Sequence, residues 1–326
     1  MDHDAIEIVA TSQSILNILE QLRTVALSDS TVLLIGETGV GKERFAEYLH
    51  HKSVRRFKPL VKVGVSTLPR ELVESELFGH EKGSFTGAAV EKKGLFEVAN
   101  GGSLYFDDID DLPIEIQPKL LRAMEAHEIQ HVGGTRPIRI DVRFIAASKV
   151  SLKDLVDQGR FRADLFYRLN VVPITIPPLR DRREDIPPLI EQYVRHFLPD
   201  KRVTVSKEAL KAFVNYSWPG NVRELVNVLV RVLLFVNDHV DLEDLPREIR
   251  GEDPISMLIK SCSRCFFEER MNYDQILACL ETNLLRQALE MHHGNRSRAA
   301  DFLGLKLSTF RDKLVKYNLD GIPIAD

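Results

Sequence analysis

The chain has 326 residues, 44% hydrophobic and 28% charged, which describes an ordinary globular sequence with room for two or three domains. A formal net charge of −4 excludes a generally basic nucleic-acid binder, so any such surface must be local. No apolar run approaches a membrane span, Met1-Asp2-His3-Asp4 lacks the basic flank of a signal peptide, and three cysteines exclude a disulfide scaffold.

The first predicted element is a helix over Ser14–Val25, with Ile15, Leu16, Ile18, Leu19 and Leu22 at helical spacing, packed on a sheet edge. The apolar run Thr31–Ile35 follows, then Gly36-Glu37-Thr38-Gly39-Val40-Gly41-Lys42-Glu43, then an amphipathic segment. Strand, glycine-rich loop and helix in that order predict a site for the phosphates of a nucleoside triphosphate. The glycines let backbone N–H groups curl around an anion, and the helix aims its positive end at it. Lys42 supplies a point charge for the β and γ oxygens. The Ser or Thr expected after the lysine, which would touch Mg²⁺, is Glu43, so another residue must hold the metal.

Further strands are predicted at Leu60–Val65, Ser103–Phe106, Val142–Ala147 and Val171–Ile176, alternating with amphipathic stretches. That alternation predicts a parallel α/β sheet covered on both faces. Asp107 and Asp108 close the run Leu104-Tyr105-Phe106, at the carboxyl end of a strand where ligands of open α/β sheets bind. Asp107 suits a Mg²⁺ ion and Asp108 suits a general base for an attacking water. Two arginines, Arg162 and Arg168, lie in the stretch Gly159–Arg168, and Arg223 follows Trp218-Pro219-Gly220-Asn221. Arginines neutralise charge developing on a γ-phosphate, often from a neighbouring subunit, but spacing alone does not separate that role from a solvated surface charge.

After Pro177-Pro178 the strands stop. Helices are predicted at Ile186–Phe197, Lys207–Tyr216 and Asn221–Phe235, then at Tyr273–Met291, Ser297–Leu303 and Ser308–Tyr317, with Gly294 and Gly304 as caps or turns. The expected divisions are an α/β nucleotide-binding subdomain over 1–180, a helical lid over 181–250, a linker over 251–272 and a helix-turn-helix domain over 273–326. Cys262 and Cys265 form a C-x-x-C that no second pair completes into a four-ligand zinc set, even with Cys279, so plain thiols are expected.

The stretch Glu74–Ala88, ending in Gly83-Ser84-Phe85-Thr86-Gly87-Ala88, resembles the signature of bacterial enhancer-binding proteins, the AAA+ activators of sigma-54 RNA polymerase. The resemblance runs from about residue 8 to 320 and takes in Phe161-Arg162-Ala163-Asp164-Leu165, Trp218–Leu225 and a Fis-like C-terminal helix-turn-helix. It implies an AAA+ parallel sheet with a helical lid, and ATP with Mg²⁺ as cofactors. It implies that the loop Gly83–Ala88 touches sigma-54, that Arg162 and Arg168 act as arginine fingers, and that Arg223 is a lid sensor of nucleotide. Arginines supplied in trans imply self-association into a ring, hexameric by resemblance. Family members that carry no N-terminal regulatory domain, the phage-shock and Hrp activators among them, are held by a separate protein, so a regulatory partner acting in trans is expected, in the cytoplasm and away from membranes.

Three parts of the site depart from the family pattern. Asp108 replaces a Glu and is one methylene shorter, about 1.5 Å of reach. Gly64 stands where the family has an Asn that pairs with that Glu, and a glycine cannot restrain a carboxylate. Ser148-Lys149 replaces Thr-Asn, adding a cation. Together they open an alternative in which the chain binds ATP but hydrolyses it poorly, or works in a mixed ring.

From His293 to Tyr317 six Lys or Arg face two Asp, a local surplus in an acidic chain. Thr309, Arg311, Asp312 and Lys316 are expected to face a major groove, Arg298 and Lys306 to meet phosphates, and Ser308 to belong to the same DNA-binding set at the start of the second helix, which is expected to be capped near it, with Phe310 and Leu314 in the core. Ile276, Leu277, Leu280, Leu284, Leu285 and Leu289 suit a dimer interface, which would match a palindromic upstream DNA site.

Overall fold

The computed structural model describes residues 8–84, 90–199, 203–236, 238–251, 272–292, 294–317 and 319. The chain divides into two compact units, Met1–Ile249 and Arg250–Asp326.

The first unit is built on five parallel strands: β1 (Val32–Ile35), β2 (Leu60–Gly64), β3 (Ser103–Asp107), β4 (Arg143–Ser148) and β5 (Val172–Thr175), in the order β2-β3-β4-β1-β5. The predicted strands all form, with ends shifted by a residue or so. β1, β3 and β4 are almost wholly buried, because helices cover both faces and leave no polar side to alternate with. Register brings the chemistry to one edge. Ile35 pairs with Ser148, and Gly64 pairs with Asp107, so the loop after β1 and the acidic end of β3 open on the same side.

One face carries α1 (Gln13–Ala26) and α2 (Lys42–His51), whose Ile15, Leu19, Leu22, Phe45 and Leu49 close a core against β1 and β4. The other face carries α3 (Arg70–Phe78), α4 (Gln117–Ala126) and α5 (Ala163–Leu169), around Phe78, Phe96, Phe106 and Phe144. Arg143, 1% exposed, donates to the carbonyls of Val25 and Ala26 and so caps the end of α1 from inside the protein. Burial lowers its pKa to about 10.

Beyond β5 the helical lid follows with α6 (Ile186–Phe197), α7 (Lys207–Asn215) and α8 (Asn221–Leu233) around Phe213 and Trp218. Trp218 is fully buried, stacks on Phe213 at 6.0 Å, and donates its indole N–H to the Phe213 carbonyl at 2.8 Å. One network ties the lid to the start of the chain: Asp185, fully buried, accepts from the Thr11 and Ser12 amides and from the Ser12 hydroxyl.

The second unit has α9 (Tyr273–Met291), α10 (Arg296–Phe302) and α11 (Leu307–Lys316), with Phe310 and Leu314 fully buried as expected. Two expectations are corrected here. Leu285 and Leu289, offered by periodicity to a dimer interface, are buried in the unit's own core, since α10 and α11 fold back over that stripe. Ser308 does not cap α11: the N-cap is Lys306, and Ser308 lies inside the first turn. Among the described residues no helix is long and apolar enough to cross a membrane. Cys262 and Cys265 lie outside the described residues; Cys279 is free and exposed.

Candidate nucleotide site and nucleic-acid-binding helices

The loop between β1 and α2 is shaped by its glycines. Gly39 (φ +81°) has no room for a side chain, because a Cβ would meet the Gly220 carbonyl at 2.3 Å. Gly41 (φ +102°) is the N-cap of α2 and offers no side-chain acceptor to the first-turn amides. Those amides and the positive helix end are therefore left for an anion.

Lys42 is 7% exposed, and its ammonium donates to the carbonyls of Gly36 at 2.8 Å and Glu37 at 3.3 Å. Burial depresses its pKa, and Asp107, Asp108 and Asp110 oppose that shift. Among the described residues it has no ion pair. A buried cation served only by neutral carbonyls, beside an uncapped helix start, fits a polyphosphate.

Lys42 lines a cavity of about 410 Å³ together with Thr38, Asp107, Asp108, Lys149 and Arg223. Asp107 accepts from the Tyr105 hydroxyl at 3.0 Å. Asp108 sits in the left-handed region (φ 51°), which aspartate tolerates, and accepts at 2.8 Å from the Ser66 hydroxyl. Gly64 leaves Asp108 without its family partner, yet the carboxylate is held, and by a residue the sequence reading passed over. Lys149 lies 2.7 Å from Asp111, 3.6 Å from Asp110 and 3.7 Å from Asp108. The hydrogen bond to Asp111 and the surrounding carboxylates raise its pKa. Glu43 lines the same cavity and pairs with Lys62 at 2.8 Å.

A second cavity of about 150 Å³, lined by Val9, Val40, Phe45, Arg182 and Leu189, shares Gly41, Arg44, Tyr193 and Val222 with the first. Its apolar walls suit a flat ring such as a nucleobase. Arg182, 2% exposed, donates to the Val40 carbonyl at 2.8 Å. Sequence reasoning missed this pocket; its only signals were the apolar pair Ile8-Val9 ahead of α1 and the inward stripe of α6.

Glu37 does not face the phosphate side. Its carboxylate takes two hydrogen bonds from Arg180, at 2.9 and 2.5 Å, and one from the Asn221 amide at 3.2 Å, which hold its pKa down at about 2. Asn221 also donates to the Thr38 carbonyl at 3.0 Å and accepts from the Leu179 amide at 2.8 Å. The Arg223 amide donates to the Gly39 carbonyl at 3.3 Å. The loop and the lid are thus joined directly, with Thr38, Gly39 and Arg223 also lining the first cavity. Arg162 pairs with Asp164 at 2.7 Å, Arg168 donates to the Met124 carbonyl at 3.0 Å, and neither lines the cavities.

Phe85, Thr86, Gly87 and Ala88 lie outside the described residues. Gly83 has φ +82° and open space around it, and Ser84 packs against Gly133, where a Cβ would come within 2.6 Å. Glu81 and Glu97 receive the two ring nitrogens of His131 at 3.2 and 2.9 Å, and Glu81, Glu91 and His131 bring their polar atoms within 4.8 Å of one another. Burial works against protonation of His131, but its bonds to Glu97 and Glu81 outweigh it and raise the pKa.

In the C-terminal unit Gly304 (φ +65°) makes the turn between α10 and α11, with the Leu305 amide closing on the Ala300 carbonyl at 2.9 Å. Arg298, Lys306, Ser308, Thr309, Arg311, Asp312 and Lys316 are all exposed, while Lys313 is engaged with Glu281 at 2.7 Å. A short helix, a glycine turn and a second helix with an exposed basic face have the form of a major-groove reader.

Comparison with known proteins places these parts. Residues 8–175 match the Sigma-54 interaction domain, residues 180–258 the AAA+ ATPase lid domain, and residues 276–317 the Fis family of bacterial regulatory proteins. The chain is 41% identical to the DNA-binding transcriptional regulator NtrC of Rhizobium meliloti, over 95% of this chain and 69% of that protein. It is 42% identical to the Sigma54-dependent transcriptional activator SfnR of Pseudomonas putida, over 91% and 84%. With the DNA-binding transcriptional activator HyfR of Escherichia coli identity is 49%, over 96% of this chain and 48% of that protein. Among solved structures, NtrX from Brucella abortus in complex with ATP superimposes with a TM-score of 0.69 at 32% identity, covering 97% of this chain and 69% of that one. Its ADP complex gives 0.72 at 30% identity, covering 96% and 70%. The Sigma-54 interaction domain, the AAA+ lid and the Fis-type domain thus follow one another along the chain, and the chain belongs to the family of sigma-54-dependent, enhancer-binding AAA+ transcriptional activators.

Proposed function

We propose that this chain binds ATP between the sheet edge and the lid, hydrolyses it, and uses the cycle to remodel sigma-54 RNA polymerase from an upstream DNA site. The observation that carries the reading is the buried ammonium of Lys42, which has no ion pair among the described residues, at an uncapped helix start across one cavity from Asp107 and Asp108. The triphosphate would lie along Gly36–Lys42 and the base against Val9, Val40 and Leu189. Glu37 would serve this site by clasping the lid, and Val40 and Glu43 by the loop backbone.

Asp107 is the residue to hold Mg²⁺, which when bound neutralises charge on the phosphates. Asp108 is the residue to accept a proton from the attacking water. Arg223 reaches the phosphates from the lid. Arg162 and Arg168, which line neither of these two cavities, would act on a neighbour's nucleotide, which makes a ring the active form. The loop Gly83–Ala88 would contact sigma-54, and the exposed face of α11, with Arg298 and Lys306 at its margins, would hold DNA.

Support for hydrolysis over binding alone comes from Asp108, which keeps a carboxylate on the cavity and a hydrogen bond that orients it. Steady-state phosphate release together with open-complex formation by sigma-54 polymerase tests the reading. ATP-dependent opening at a promoter with an upstream site is expected; binding of ATP with neither turnover nor opening would sink it.

A further inference from the structure

We infer that Ser66 is the residue that positions Asp108 for hydrolysis, a role built into this chain one turn beyond the strand end where Gly64 has no side chain; the inference rests on the reading of Asp108 as the base of an ATPase. Gly64 lies beside Asp107 in the β2–β3 ladder, so a side chain at 64 would be the natural neighbour of the acidic end of β3. None is there. The chain instead closes a single tight turn over Val65–Thr67, which carries the Ser66 hydroxyl back to within 2.8 Å of one Asp108 oxygen.

The two polar side chains of this turn are not equivalent. Thr67 donates to the Gly64 carbonyl at 2.7 Å, closing the turn, and its hydroxyl stands 3.3 Å from where a Cβ on Gly64 would be. Thr67 therefore crowds the place where a side chain at 64 would start, and Ser66 is the hydroxyl that reaches the carboxylate.

The chemistry of the donor matters. A hydroxyl donates one directional hydrogen bond and brings no charge of its own, so it fixes the orientation of the carboxylate without forming an ion pair with it. The other Asp108 oxygen has Lys149 at 3.7 Å, beyond hydrogen-bond reach. Of the two, only Ser66 sets the direction in which the lone pairs point. The shorter aspartate needs this more than a glutamate would, because a base displaced by 1 Å from its water can lose about 100-fold in rate. Ser66 does not line the nucleotide cavity, so it acts through Asp108 and is a positioning residue.

The test uses the purified full-length chain with phosphate release at saturating ATP and equilibrium binding of methylanthraniloyl-ATP. Ser66→Ala is expected to lower kcat roughly 10- to 100-fold while KM and the binding constant stay within about twofold. Ser66→Thr, which keeps the hydroxyl, is expected to recover most of the rate. Because Ser66 is exposed, the melting temperature of either variant should match the wild type. A Ser66→Ala enzyme with unchanged kcat, or one whose loss lies wholly in KM, overturns the role of Ser66 and leaves the hydrolysis reading intact. A wild type that binds the analogue without turning over ATP refutes the hydrolysis reading and the role of Ser66 with it.

Discussion

At the sheet edge Lys42 is 7% exposed, and its neighbours Asp107, Lys149 and Arg223 come from different elements of the first unit. On α10 and α11 the basic residues other than Lys313 are exposed, and they lie within one short stretch of sequence. The difference has a physical use. A charge buried as Lys42 is interacts strongly and escapes screening by salt, which suits a site that must grip a small polyanion. Charges spread over a wet helix face are individually weak and salt-sensitive, which suits reversible residence on DNA.

The contrast is broken most directly at its buried end. Lys42→Ala removes the one buried cation of the loop and should lower ATP turnover by roughly 100- to 1000-fold. Analogue binding should fall with it, while binding to the upstream DNA fragment, followed by mobility shift, stays the same. If DNA binding collapses too, the two regions are not the separate instruments described above.

The lid should be nearly as sensitive, through packing and not through charge. Trp218→Ala empties the centre of its core and should cost about 3–5 kcal/mol of stability by denaturant titration. Loss of analogue binding is expected to accompany it, since Asn221 and Arg223 approach the phosphate loop from the same corner.

Single changes on the C-terminal helices should do less. Arg311→Ala should cost about 1–3 kcal/mol in DNA affinity and relax sequence preference, whereas Lys306→Ala should weaken all sequences alike and lower the salt slope by about 1. ATP turnover without DNA should be unchanged in both.

The smallest effect concerns the base of the Gly83–Ala88 loop. His131 has a raised pKa in the folded chain, so its bonds to Glu81 and Glu97 stabilise fully below its unfolded value near 6.5. That contribution is lost as pH rises through the higher folded value. Melting temperatures from pH 6 to 9 should decline slightly more steeply in the wild type than in His131→Gln. A parallel decline in both would show that the imidazole carries no proton there.

Much of this was legible in the sequence, for identifiable reasons. Val32–Ile35 and Tyr273–Met291 fall where periodicity and apolar runs put them, because burial of one face or of a whole strand leaves a pattern in consecutive residues. The phosphate loop was legible because its glycines and lysine are adjacent, and the acidic pair because it closes an apolar strand. Ser308 misled because a hydroxyl near a helix start is only a candidate cap; Lys306 takes the N-cap position and places Ser308 inside the first turn. Leu285 and Leu289 misled because an apolar stripe does not state which surface will cover it.

What the sequence determined by itself is the set of chemical groups and their local frames: strand, loop and helix for the phosphates, an acidic strand end, and a glycine turn between two basic helices. What only the tertiary structure decided is who meets whom. Ser66 restrains Asp108, Arg180 and Asn221 clasp Glu37, and Val9 joins Leu189 around the second cavity. The reason is that such pairings form between side chains brought together by sheet order and lid packing. Hydrogen bonds and cavities depend on distances of a few ångströms in space, and spacing along the chain records those only within a helix, a strand or a turn.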